Sequence, residues 1–208
     1  MSTSLYVRIP RLLIGLAVYG FADALMIRAV IGVDPWTVFA QGFVNVTGLG
    51  FGLLTNIIGL LVLLLWIPLK QKPGIGTVAN VLLLGPFIEL SVWLLPAPGE
   101  WWAKGLMFTA GLVLLAVASG IYIGAQLGAG PRDGLMTGIQ RRTGWPLWVG
   151  RTGIELTVLL VGWLLGGNVG VGTVAFALLI GPLCNLTLPL LGVPLTKKVE
   201  RAVEPALA

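Results

Sequence analysis

The chain has 208 residues, of which 57% are hydrophobic and only 10% charged, and its formal net charge is +5. Soluble domains carry about 25% charged residues, and a soluble fold this apolar would expose large sticky patches. The sequence contains no histidine, which excludes imidazole acid–base chemistry and histidine metal sites. The composition therefore predicts an all-α integral membrane protein with the lipid bilayer as its main partner.

Six apolar segments are long enough to cross a bilayer, which takes about 20 helical residues. They are residues 11–31, 51–69, 75–96, 105–127, 147–165 and 171–192. Residues 32–48 and 128–144 each hold a proline followed by roughly twelve residues, too few to span, so we expect a short interfacial or re-entrant helix that begins at the proline. The sequence thus predicts one membrane domain, residues 1–208, with six spans and two short helices.

An internal repeat organises this domain. Residues 32–90 align without a gap on residues 128–186, and 21 of the 59 aligned positions are identical. The matches include the run from Gly74 to Ala79, which aligns on the run from Gly170 to Ala175. Self-similarity at a fixed offset predicts two copies of one structural unit.

Each copy holds three predicted spans: the first copy covers about residues 11–96, and the second about residues 105–192. A cytoplasmic tail, residues 193–208, follows the second copy. Three is an odd number, so the second copy enters the membrane from the opposite side and the copies are inverted, as in many transporters. Six spans place ten basic residues on one face and two on the other. That bias predicts cytoplasmic termini in a bacterial plasma membrane. Basic residues in short loops between spans are topology determinants, so no nucleic-acid partner is expected.

Two corresponding spans carry a glycine–proline pair near their centres, Gly85-Pro86 and Gly181-Pro182. Proline removes a backbone donor and leaves the carbonyl four residues earlier without its usual partner. These helix breaks either flank a central site or only shape the packing of the helices.

Charged residues within the apolar segments are the first candidates for a substrate-binding site. Asp23, Glu89, Arg151 and Glu155 all lie in predicted spans, where an ionised side chain costs about 3 kcal/mol or more unless paired or hydrated. Arg151 and Glu155 are four residues apart and share a helix face, which fits a site or a structural ion pair. Glu89 corresponds by the repeat to the polar Asn185, which predicts an asymmetric central site.

The segment that contains Gly128, Gly130 and Arg132 resembles an anion-binding turn at a helix start. A tight cytoplasmic turn explains the same residues. Small residues four apart, such as Gly48 and Gly52, predict close helix packing within the chain or in a homodimer.

We find no HExxH or GxSxG motif and no cluster of metal ligands in the sequence. The sequence therefore predicts no enzymatic activity, no cofactor and no metal site.

Several motifs together resemble the YczE/YyaS/YitT-type group of bacterial membrane proteins, closest to its YczE branch. They are Leu127–Leu135, Arg151 with Glu155, Gly162–Gly167, Gly170–Thr173, Asp34–Thr37 and Gly74–Thr77. The resemblance extends to about Pro194 and implies a bacterial plasma-membrane protein. It implies no activity and assigns no site residue.

The repeat and the paired helix breaks favour a small secondary transporter or permease, with a site for an unknown small molecule or ion between the two copies. The alternative is a non-transporting accessory, scaffold or regulatory membrane protein.

Overall fold

A computed structural model describes residues 4–193, which form eight α-helices and, in this range, no strand. The helices are α1 (Leu5–Ala29), α2 (Pro35–Thr47), α3 (Phe51–Leu64), α4 (Ile75–Leu94), α5 (Trp101–Gly124), α6 (Pro131–Thr143), α7 (Leu147–Leu164) and α8 (Val171–Leu190). The predicted tail lies outside the described residues, apart from its first residue.

Four of these helices, α1, α4, α5 and α8, are long and apolar enough to cross a membrane. The pair formed by α2 and α3 meets the same criterion only when taken together, with a bend of 116° between them. The helical chain with four or five candidate spans confirms a membrane protein. The second predicted span is shorter than expected: α3 ends at Leu64, and turns continue to Lys70, because Pro68 has no N–H to extend the helix.

The two predicted short helices are present and begin at their prolines. Pro35 and Pro131 occupy the first turns of α2 and α6, where a missing N–H carries no penalty. Both helices end at a glycine in the left-handed conformation, Gly48 with φ 71° and Gly144 with φ 73°. Both short helices therefore begin at a proline and end at a left-handed glycine.

The helix boundaries follow the sequence repeat, since α2 and α6 differ by 96 at both ends, and α4 and α8 do so too. The corresponding helices α1 and α5 pack against each other and run antiparallel. Arg8, near the start of α1, donates from Nε to the carbonyl of Ala125, just past the end of α5, at 2.8 Å. Farther along α1, the carbonyl of Ala22 lies against Gly111, in the first half of α5.

Two equivalent junctions tie the copies together. The first junction docks Gly74–Thr77 on Leu127–Ala129, and the second docks Gly170–Thr173 on Ile31 and Gly32. In the first, the N–H of Gly76 donates to the Leu127 carbonyl at 2.8 Å. In the second, at corresponding positions, the N–H of Gly172 donates to the Ile31 carbonyl at 2.8 Å.

The repeated Gly-x-Gly-Thr motif is what permits these junctions. A Cβ on Gly74 would lie 2.4 Å from the Leu127 carbonyl oxygen, and one on Gly170 would lie 2.4 Å from that of Ile31. The buried Thr77 hydroxyl accepts from Gly74 N–H at 3.1 Å and donates to the Ala129 carbonyl at 2.7 Å. The motif is therefore a connector between the copies.

The copies differ in how their last two helices pack. α3 packs along α4, with Gly59 allowing a close approach to Val81. In residues 4–193 the corresponding pair, α7 and α8, makes no extended contact. The second copy is therefore open where the first is closed.

Candidate functional site

A cavity of about 230 Å³ lies among α1, α2, α4, α5, α6, α7 and α8, and so receives side chains from both copies. Its apolar walls include Leu84, Leu115, Met136, Phe176 and Ile180. Its polar lining residues are Tyr19, Asp34, Asn80, Ser119, Tyr122, Arg132, Asp133, Arg151, Glu155 and Cys184. This cavity, in which charged and polar side chains lie among apolar walls, is the candidate site.

Asp34 is the most enclosed carboxylate that lines the cavity, with 4% of its surface exposed. It is the N-cap of α2, and its Oδ1 accepts from the N–H groups of Trp36 at 3.1 Å and Thr37 at 3.2 Å. Arg132 Nη1 lies 3.6 Å from the same oxygen. The other oxygen, Oδ2, is buried and has no hydrogen-bond partner among the described residues.

Arg132 occupies in α6 the position that Trp36 occupies in α2. Its guanidinium lies 5.0 Å from the centroid of the Trp36 ring, within range of a cation–π interaction. The first turns of the two short helices therefore meet at the cavity, joined by Arg132 with Asp34 and Trp36. The Trp36 Nε1 is also buried without a partner in the described chain.

The other side of the charged lining comes from α6 and α7. Arg151 Nε donates to Glu155 Oε1 at 2.9 Å, as the four-residue spacing predicted. Asp133 faces the cavity from the first turn of α6, a helix too short to cross a bilayer. The surrounding protein desolvates its carboxyl and raises its pKa, while Arg151 and Arg132 act in the opposite direction.

The structure brings some of the predicted site residues together at this cavity. Arg151 and Glu155 line it, as do Gly130 and Arg132 of the predicted anion turn. Asp23 is buried in α1, 2% exposed, and is close enough to Asp34 and Arg132 for their charges to interact.

Glu89 and Asn185 do not line the cavity and are exposed. The Glu89 carboxylate lies against the start of α3, where a Cβ on Gly50 would be 2.9 Å from Oε1 and one on Gly52 would be 2.5 Å from Oε2. A carboxylate is favourable at a helix N-terminus. Glu89 therefore joins α4 to α3 on the closed side of the molecule.

Neither of the two predicted helix breaks interrupts its helix, and the surroundings of the two glycine–proline pairs differ. α4 continues through Pro86, and the Asn56 side chain donates to the Leu82 carbonyl that the proline leaves free, at 3.1 Å. α8 continues through Pro182, and a Cβ on Gly181 would meet no atom within 4 Å. Neither glycine–proline pair lines the cavity.

The geometry disfavours an anion at the start of α6. Gly128, with φ 129°, packs on Gly74 in the first junction. Asp133 Oδ2 lies 3.3 Å from the place that a Cβ on Gly130 would take, so a carboxylate already lies beside that helix start. Arg132 is engaged by Asp34 and Trp36.

Sequence reasoning missed Asp34, Asp133, Tyr19 and Tyr122 as lining residues. One signal was available: aspartate directly before proline is typical of a helix N-cap followed by its first residue, and this places Asp34 at the start of α2. An aspartate in a first turn, such as Asp133, is too common to mark a site.

Residues 6–189 match the family described as a family of unknown function, DUF6198. The chain belongs to this family. A protein of Bacillus subtilis, named an uncharacterized membrane protein YczE, is 37% identical over 178 residues, covering 84% of this chain and 82% of that one. This relative confirms the resemblance to the YczE branch.

An uncharacterized protein of Haemophilus influenzae is 37% identical over 179 residues, covering 86% of this chain and 82% of that protein. No solved structure matches the chain. The names of these relatives state a membrane protein in one case and an activity in neither.

Proposed function

We propose that the protein is a small secondary transporter of the bacterial plasma membrane and that the central cavity is its substrate site. The observation that carries the proposal is the cavity of about 230 Å³ between the two copies, lined by two arginines and three carboxylates. Charged residues at membrane depth are costly, and they mark substrate or ion pathways when they face a polar cavity. A scaffold or regulatory role does not by itself account for five charged side chains that line one cavity. We propose no covalent chemistry at this site.

The proposed topology has six crossings in two inverted copies, with α2 and α6 as re-entrant helices and both termini in the cytoplasm. The antiparallel packing of α1 on α5 supports inversion, because corresponding helices of inverted copies run in opposite directions. Moving Arg132 from a loop into the cavity leaves nine basic residues on the cytoplasmic face and two on the other, so the bias persists.

Reporter fusions test this topology. A reporter at the C-terminus is expected to show a cytoplasmic position, and one inserted at Gly99, between α4 and α5, an extracytoplasmic one. A C-terminus outside the cytoplasm would overturn the six-crossing arrangement and the inversion with it.

The difference between the copies suggests how access to the cavity changes. α7 and α8 both line the cavity without an extended contact in the described range, whereas α3 and α4 are packed together. In the proposed cycle, α7 closes on α8 while α3 parts from α4, so the inverted copies exchange conformations.

An uptake screen in proteoliposomes is the direct test. A transported solute is expected to lose most of its uptake in Glu155→Gln, and to keep it in Glu100→Gln, since Glu100 is an exposed carboxylate outside the cavity. No uptake across a broad panel, with one stoichiometric partner recovered from native membranes, would instead support an accessory protein. A homodimer in the membrane is compatible with either function and is measured separately by cross-linking.

A further inference from the structure

Acidic side chains outnumber basic ones around the cavity. Its lining holds three carboxyl groups, on Asp34, Asp133 and Glu155, and two guanidinium groups, on Arg132 and Arg151. A fourth carboxyl group, on Asp23, is buried in α1 outside the lining and is close enough to Asp34 and Arg132 for their charges to interact. Arg132 pairs with Asp34 and Arg151 with Glu155. Two carboxyl groups, those of Asp23 and Asp133, are thus left without a guanidinium of their own. The raised pKa of Asp133 favours its neutral form, and a cation in the cavity favours the ionised form instead. The arrangement therefore favours a positively charged ligand.

Asp34 gives a second, independent indication. It lines the cavity at 4% exposure, and its Oδ2 is buried without a partner in residues 4–193. The charge of a buried carboxylate with an unpaired oxygen is costly, and a cation in the adjacent cavity stabilises that charge through space without touching Oδ2. Arg132 approaches the other oxygen, Oδ1, which already caps α2.

The walls of the cavity suit an organic cation better than a bare metal ion. Metal ions need several oxygen ligands converging at about 2.0–2.6 Å, and the described residues contain no group of three acidic or cysteine side chains placed to hold one. Tyr19, Trp36, Tyr122 and Phe176 line the cavity instead. Aromatic faces bind ammonium groups through cation–π contacts.

We propose that the cavity binds a small organic cation, an amine or quaternary ammonium compound that carries no carboxylate. The inference deepens the proposed transport function and rests on it for its physiological meaning. A volume of about 230 Å³ lies below the range of about 300–1,000 Å³ for pockets that hold drug-sized ligands, which limits the ligand to a small solute.

Binding to the purified full-length protein in detergent tests the charge requirement. The probes are tetramethylammonium, choline, the neutral carbon analogue dimethylbutanol, and glycine betaine, which adds a carboxylate. Calorimetry is expected to show that the two cations bind roughly 10-fold or more tightly than the neutral analogue and the betaine, because the carboxylates and aromatic faces of the lining attract a cation and a carboxylate on the ligand is repelled. Equal or tighter binding of the neutral or zwitterionic probe, or no cation binding at millimolar concentration, would overturn the inference.

Asp34→Asn is the matched variant, because asparagine caps a helix as well as aspartate but carries no charge. Its affinity for the cation is expected to fall roughly 10-fold, whereas Glu100→Gln leaves it unchanged. Asp133→Asn, at a position open to the cavity, gives the same test if Asp34→Asn does not fold. An unchanged affinity in a folded aspartate variant counts against the site.

The single cysteine offers an independent measurement of the cavity's charge. Cys184 lines the cavity from α8 and is half-buried. A cationic and an anionic methanethiosulfonate are compared for their rates on Cys184, each relative to its rate on a small free thiol. The cationic reagent is expected to be favoured at Cys184 after this correction, and an equal or reversed preference would contradict a net negative cavity.

The binding and uptake results separate the two proposals. Cation binding without uptake of any bound cation supports the inference and contradicts the transport function. Uptake of an anion or neutral solute without cation binding supports transport and overturns the inference.

Discussion

The side chain of Asn56, in α3, fastens to the backbone of Gly85, in α4: its Oδ1 accepts from the Gly85 N–H at 3.1 Å, while its Nδ2 donates to the Leu82 carbonyl, also at 3.1 Å. Pro86 deprives that carbonyl of its normal helical donor. The Asn56 amide thus supplies the hydrogen bond that the Leu82 carbonyl loses to Pro86, and it links α3 to α4.

Replacing Asn56 by leucine is expected to destabilise the protein by about 1–2 kcal/mol, since interhelical hydrogen bonds in membranes contribute up to roughly that amount. The measurement is unfolding in mixed micelles of rising SDS content. Thr152→Ala is the control, because Thr152 is the corresponding residue of α7, is exposed, and belongs to the open pair of helices. Equal losses in both variants would show that the Asn56 bonds carry no special weight.

The junction glycines give a second prediction. Gly74→Ala and Gly170→Ala each place a Cβ 2.4 Å from a carbonyl oxygen of the other copy, and overpacking of this kind typically costs about 1–3 kcal/mol. Both variants are expected to lower the thermal unfolding temperature in detergent.

Gly99→Ala is the control for these two variants, because a Cβ there meets nothing within 4 Å. Its stability is expected to remain within about 0.5 kcal/mol of the parent protein. If the junction variants were as stable as Gly99→Ala, the close backbone approach would not exist in the folded protein.

Glu89 separates the interpretation drawn from sequence from the one drawn from structure. Glu89→Gln removes a carboxylate beside the start of α3 and is expected to reduce stability by about 0.3–1 kcal/mol. The affinity of the cavity for an organic cation is expected to remain as it is, since Glu89 lies outside the lining. If the Glu89→Gln variant lost affinity for the cation but kept its stability, Glu89 would belong to the binding site after all.

The closed and open helix pairs can be compared by cross-linking in a Cys184→Ser background. A Cβ on Gly59 would lie 3.8 Å from the Val81 Cα, so cysteines at these two positions are close enough for a disulfide. We expect this pair to cross-link on mild oxidation, to stop uptake, and to recover it on reduction. Full uptake by the cross-linked protein would argue against parting of α3 from α4.

The corresponding cysteine pair, at Glu155 and Ala177, lies on α7 and α8. It is expected to cross-link slowly, because the described parts of these helices make no extended contact. Rapid cross-linking here would show that the open arrangement is a minor conformation.

Local sequence rules accounted for most of the helices, since proline and glycine set the ends of α2 and α6, and the offset of 96 placed α8 once α4 was known. They could not place the cavity. Glu89 and Asp34 are both acidic residues among apolar neighbours, and only packing shows that the first faces α3 while the second faces the space between the copies.

The asymmetry between the copies was also beyond local rules, although one substitution marks it. Gly59 lets α3 approach α4, and its counterpart Glu155 lies in the cavity lining next to Arg151. The repeat alone predicts equal packing of both helix pairs. Glycine at position 59 accompanies the closed pair of α3 and α4, and glutamate at position 155 accompanies the open pair of α7 and α8.

The two junctions also set the order in which the chain can finish folding. The N–H of Gly76 finds its acceptor at Leu127, about fifty residues later in synthesis, and the carbonyl of Ile31 finds its donor at Gly172 only when nearly the whole chain is in the membrane. In each junction the backbone donor and its acceptor belong to different copies. While only the first copy has been synthesised, Gly74 and Gly76 therefore have no backbone to pack against. The first junction can form once α5 and Leu127 have been made, whereas the second waits for the start of α8, so completion of the fold is a late event that depends on insertion of the last helix.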